Sequence, residues 1–208
     1  MQKTQRLAVS GVLIALAVLL SFIKIFELPF GGSITACSMV PVMLLGYLYG
    51  VRWGMVCGLA DGILQGLLGA ATTQAFAGLG VLQAIAMVCL DYLLAFSVLG
   101  LAGAFRKTIR KPSLSFALGC GFAGFLRFVV HTVSGTILYG SWAEWYFTQS
   151  GFYRWGADIL QRFSGTGLAI VYSIIYNASY MLPETILAAA AGAALLCVKP
   201  IRDAAHIN

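Results

Sequence analysis

The 208-residue chain is 60% hydrophobic and 10% charged, with a mean hydropathy of +0.90. Soluble domains carry about 25% charged residues, so a soluble class is excluded and an integral membrane protein is implied. The net charge of +6 does not point to nucleic acid, because the basic residues sit at the ends of apolar runs and not in aromatic-interleaved patches.

Hydropathy predicts an all-α integral membrane protein with six transmembrane helices, near 6–26, 35–50, 53–70, 77–105, 114–139 and 168–198, in a single transmembrane domain over 1–208. The first run lacks the small-residue exit of a cleavable signal peptide and reads as a retained helix. Placing both termini in the cytoplasm puts Lys3, Arg6, Arg52, Arg106, Lys107, Arg110, Lys111, Lys199 and Arg202 inside, nine of the 13 Lys and Arg. That is the bias expected of cytoplasmic loops. Lys24, Arg127, Arg154 and Arg162 then fall near or beyond the outer face.

In the first helix, Gly11 and Ala15 form a small-xxx-small pair. Such a pair lets helices approach closely in lipid, either within the chain or against another subunit. Glu27-Leu28-Pro29-Phe30-Gly31-Gly32-Ser33 carries turn chemistry and predicts an outer loop able to cap a site. Gly54, Gly58, Gly62, Gly66 and Gly69 run at helical spacing along the third span, which predicts a packing groove. Asp61 and Gln65 lie among them, and the role of Asp61 stays open.

The fourth span holds Asp91 in the run Leu90-Asp91-Tyr92-Leu93-Leu94-Ala95-Phe96. From Ala77 to Phe105 no other side chain is ionisable except Tyr92 and the Cys89 thiol, and an intramembrane carboxylate is costly enough to require a reason. The later spans offer Arg127, His131, Tyr139, Tyr172 and Asn177 at a similar depth. Arg127 and His131, four residues apart, share a helix face. An anionic Asp91 suits an organic cation, aromatic faces add cation–π attraction of about 0.5–2 kcal/mol, and Asn177 and Tyr172 can read a heterocycle's donors and acceptors. The competing reading is an internal Asp91–Arg127 or Asp91–His131 pair that only holds helices together.

Between the last two spans, Gly140 to Gly167 contains Trp142, Glu144, Trp145, Tyr146, Phe147, Phe152, Tyr153, Arg154, Trp155, Asp158 and Arg162. This stretch is either an interfacial aromatic belt or a lid. The five scattered cysteines include no C-x-x-C and argue for neither disulfide nor metal. No H-E-x-x-H, G-x-S-x-G or nucleotide-binding loop is present, so an enzyme is not expected and the energy for active transport has to come from elsewhere.

Three stretches together resemble the thiamine-specific substrate-binding subunit, the S component, of energy-coupling factor vitamin transporters. They are Leu90 to Phe96 followed by Leu99-Gly100-Leu101-Ala102-Gly103; His131-Thr132-Val133-Ser134-Gly135 with Tyr139-Gly140-Ser141; and Tyr172 to Glu184. The resemblance covers nearly the whole chain. It implies a high-affinity, non-enzymatic thiamine binder of the cell membrane, without cofactor. Asp91 then faces the ligand with Tyr92 beside it, His131 and Tyr139 contact the thiazolium end, and Tyr172 and Asn177 read the aminopyrimidine. It also implies a transmembrane coupling subunit docked on Gly11 and Ala15, with two ATP-binding subunits below. Relative to a known member, Asp91 stands for Glu, Tyr139 for Trp, and Gly31-Gly32-Ser33 for a loop containing Trp. The 140–167 stretch is an insertion in which Trp142 or Trp145 is a candidate replacement stacking partner. Another vitamin, or a structural membrane protein without a ligand, is the alternative.

Overall fold

In a computed structural model the chain is described at residues 3–28, 31–72, 76, 78–149, 151 and 155–207. Of the residues singled out above, Pro29, Phe30, Ala77, Phe152, Tyr153 and Arg154 lie outside that set.

Five helices are long and apolar enough to cross a membrane: α1 (Lys3–Ser21), α3 (Val51–Thr72), α4 (Val81–Gly103), α5 (Pro112–Tyr139) and α8 (Gly165–Leu195). The expected second span, 35–50, is instead the ten-residue α2 (Val40–Tyr49). At 1.5 Å per residue it is only about 15 Å long, half the hydrocarbon thickness. Val40 to Leu48 are all buried, so α2 is a core helix wrapped by the others. Its Pro41 sits in the first turn, where no backbone donor is needed, and Gly50 at φ 91° makes the tight corner into α3.

The outer loop is not wholly irregular, as an all-α reading requires. Lys24–Glu27 (β1) and Ser33–Thr35 (β2) pair antiparallel, and the backbone N–H of Leu28 donates to the Gly32 carbonyl at 2.6 Å. Ile25 and Phe26, a β-branched and an aromatic residue, followed by Gly31 and Gly32 favour this short hairpin.

The glycine stripe of α3 sets the packing. A Cβ at Gly54 would strike the backbone of Gly46 and Gly100, one at Gly58 the Phe96 carbonyl, and one at Gly62 the Tyr92 carbonyl. The backbone of α4 therefore lies directly against α3. Helix α4 gives up regularity for that fit: Val88–Leu94 winds as a π-helix and Val98–Gly103 as a 3-10 helix. Such π segments are rare and often mark functional sites.

At one end of the bundle the Arg6 guanidinium lies 3.8 Å over the Trp53 ring and Ser10 accepts from the Trp53 indole at 3.0 Å. Arg106 donates there to the carbonyls of Tyr47 and Leu48 at 2.9 and 2.8 Å. The hairpin occupies the opposite end, with 140–142, α6 (Ala143–Phe147) and α7 (Trp155–Arg162). A terminal helix α9 (Lys199–Ile207) packs on α2.

Candidate functional site

A cavity of about 250 Å³ opens under the hairpin between α3, α4, α5 and α8. All six residues proposed from sequence to touch a ligand line it: Asp91 and Tyr92 from α4, His131 and Tyr139 from α5, Tyr172 and Asn177 from α8. Lining also comes from Gly31, Gly32, Ser33 and Thr35 of the hairpin and from Gln65 of α3.

Asp91 sits in the π-helical turn, and its two oxygens are both engaged. His131 Nδ1 lies 2.9 Å from Oδ1, and the Ser134 hydroxyl donates to Oδ2 at 2.7 Å. His131 and Ser134 are one turn apart on α5, so a single helix face presents both partners to the acid. Serine bonds the acid and not the imidazole, which is the wrong order for activating a nucleophile; a hydrolase-like triad is not formed. Each carboxylate oxygen keeps a further lone pair for a ligand. Arg127 Nε donates to His131 Nε2 at 3.2 Å, and its guanidinium rests 4.2 Å over the Phe96 ring. Thus the internal Asp91–His131 pair exists, but it forms the cavity wall instead of a sealed helix contact.

Asn177 is also locked. Its amide nitrogen donates to the His131 carbonyl at 3.2 Å and the Ser173 carbonyl at 2.8 Å, and its Oδ1 accepts from Tyr180 at 2.8 Å. With its two amide hydrogens committed to carbonyls, what remains for a ligand is acceptor capacity on Oδ1. Tyr139 directs its hydroxyl at the Met87 sulfur, 3.3 Å away. Tyr92 stacks between Phe76 and Phe96, at centroid distances of 6.2 and 6.4 Å.

Among the wall residues that sequence reasoning missed are Tyr176, Tyr180 and Glu184, the first two of which spacing could have revealed. Tyr172, Tyr176 and Tyr180 recur every four residues on α8, and their rings pack in series at 5.8 and 5.9 Å. Tyr176 also accepts from the Gly32 N–H at 3.3 Å, tying the hairpin to this wall. Glu184, one turn beyond Tyr180 and 3% exposed, stands in the sequence only as the end of a motif. It accepts from the Thr35 N–H at 2.6 Å and the Thr35 hydroxyl at 2.5 Å, fastening β2 from inside.

Trp142 and Trp145 pack edge-to-face at 5.9 Å, are largely exposed, and do not line the cavity. Tyr146 instead turns inward, 5.1 Å from Tyr172 and 6.0 Å from Tyr176, behind the aromatic wall. Asp61 is 1% exposed and outside the lining. It hydrogen-bonds Gln65 and faces the Arg127 charge; its Oδ1 accepts no hydrogen bond among the described residues. Gly11 and Ala15 lie on an exposed face of α1, and a Cβ on Gly11 would meet nothing within 4 Å. Among the described residues, no cluster of His, Cys, Asp or Glu is arranged to hold a metal.

Residues 7–149 match the family model described as thiamine transporter protein. Over 195 residues the chain is 31% identical to the thiamine transporter ThiT of Bacillus subtilis (strain 168), covering 88% of this chain and 86% of that one. A solved structure of ThiT from Listeria monocytogenes shares the fold with a TM-score of 0.68 at 24% identity, over 95% of this chain and 96% of that one.

Proposed function

The chain belongs to the thiamine transporter protein family, a multi-pass protein of the cell membrane, and from that membership we propose that it is the thiamine-binding S component of an energy-coupling factor transporter. One observation carries the site assignment: the Asp91 carboxylate and a wall of tyrosines converge from three helices on one cavity.

Thiamine offers a thiazolium cation and an aminopyrimidine. Asp91 neutralises the positive charge more cheaply in this cavity than across open water, since the effective dielectric is lower. His131 and Tyr139 flank the thiazolium, Tyr92 lies alongside, and Tyr172 with the Asn177 Oδ1 receives the aminopyrimidine. Trp142 and Trp145, facing outward, are proposed as interfacial anchors in place of stacking partners.

The bundle crosses six times with both ends in the cytoplasm. In this arrangement segment 35–50 supplies the sixth crossing, non-helical up to Met39 and helical thereafter. In its irregular part Thr35 and Met39 are buried and Ala36, Cys37 and Ser38 half-buried, and protein cover is the condition under which such backbone is tolerated at membrane depth. The exposed face carrying Gly11 and Ala15 is the docking surface for the transmembrane coupling subunit. Two ATP-binding subunits supply the energy, and this chain hydrolyses nothing.

Calorimetric titration of the purified protein with thiamine, riboflavin and biotin tests the reading. Saturable one-to-one heat with thiamine alone is expected, and it is lost in Asn177→Ala. Binding of another vitamin in preference to thiamine replaces the ligand; no binding of any of them rejects the assignment.

A further inference from the structure

We infer that Arg127 is a positioning residue: through its Nε–H it fixes His131 as the neutral Nδ1–H tautomer and so holds Asp91 as an oriented anion in the cavity. The inference rests on this cavity being the thiamine site.

The argument is one of proton counting. A guanidinium has donors and no acceptor. Arg127 Nε lies 3.2 Å from His131 Nε2, so that ring nitrogen must present its lone pair. The imidazole hydrogen is then on Nδ1, 2.9 Å from Asp91 Oδ1, and the ring donates to the acid. The opposite tautomer sets N–H against N–H at one end and a lone pair against a carboxylate at the other. An imidazolium repeats the first of these clashes beside a full positive charge.

The groups around the ring complete the case. From α8 the Tyr180 ring meets it edge-on at 6.4 Å, and Asn177 holds the His131 carbonyl at 3.2 Å. From α4 comes Asp91, and from α5 itself Arg127. The Arg127 cation is in turn held electrostatically among Asp61, Asp91 and Glu184 and against the Phe96 face. Asp61, hydrogen-bonded to Gln65, adds its carboxylate to the field around the guanidinium from α3. The consequence for binding is electrostatic. A neutral His131 orients the Asp91 charge without cancelling it, leaving that charge for the ligand's cation.

The test is nitrogen NMR of the protein in lipid nanodiscs with only histidine labelled with nitrogen-15. The chain has two histidines, His131 and His206, and His206→Gln assigns the spectrum. Without thiamine at neutral pH, His131 is expected as a neutral ring protonated at Nδ1. In Arg127→Met, Nε2 is free to take a proton while Asp91 still holds the one on Nδ1, so the signal moves to imidazolium, and thiamine affinity falls about tenfold or more. Arg127→Lys, which keeps a cationic donor, returns the Nδ1–H signal. A wild-type ring protonated at Nε2 or at both nitrogens overturns the inference without any variant having to fold, and so does an unchanged tautomer in Arg127→Met. The spectrum is read without ligand, so failure of thiamine to bind contradicts the functional reading separately.

Discussion

Replacing Asp91 by Asn separates the charge of this residue from its hydrogen bonds. Asp91 accepts from His131 and from Ser134. In Asp91→Asn the amide oxygen keeps the His131 bond, and the Ser134 hydroxyl can turn to accept from the new amide nitrogen, at a cost of about 1 kcal/mol. Loss of a buried charge also removes its desolvation penalty, so folding stability changes little. Binding loses the anion. A unit charge pair about 5 Å apart at an effective dielectric of about 20 is worth roughly 3 kcal/mol, or about a hundredfold in Kd. Calorimetry and a thermal melt on the same detergent-purified sample read both quantities. A thiamine analogue with an uncharged ring in place of the thiazolium should lose much less between parent and variant. A Kd within about threefold of the parent, or an equal loss for the neutral analogue, refutes the electrostatic role.

Thr35→Val removes the hydroxyl donor of buried Glu184 and is expected to cost about 2 kcal/mol, seen as a fall of several degrees in Tm. Gly58→Val drives a side chain into the Phe96 carbonyl and should abolish detergent-stable protein on size-exclusion chromatography. Gly11→Val meets nothing in the chain and should leave Tm and thiamine affinity unchanged while reducing uptake in cells that contain the coupling subunits. None of the four tryptophans lines the cavity, so thiamine should barely alter intrinsic fluorescence. Tyr139→Trp should create a saturable quench.

What sequence made legible was whatever a single residue type announces alone. One carboxylate in an apolar run pointed to Asp91, and glycines at helical spacing pointed to a packing groove on α3, whose occupant, the α4 backbone, only the structure identifies. The π-helical turn around Asp91 was not legible, because its hydrogen-bond register depends on how the α4 backbone seats against α3. Nor was the short α2, since its composition suits a buried helix and a membrane span equally. Tyr176 and Tyr180 were in plain view at four-residue spacing, but an aromatic stripe on a membrane helix can face lipid as well as a pocket. The five-residue α6 and the 140–142 turn before it are too short for periodicity to separate inward Tyr146 and Phe147 from outward Trp142 and Trp145.

The most direct measurement is an experimental structure of the protein with thiamine bound. The account predicts ligand density in the cavity under the hairpin, the aminopyrimidine against Tyr172 and the Asn177 Oδ1, the thiazolium between His131 and Tyr139, and Asp91 within hydrogen-bonding or ion-pairing distance. Thiamine seated elsewhere, or in this cavity with Asp91 still bonded only to His131 and Ser134 and remote from the ligand, would contradict it.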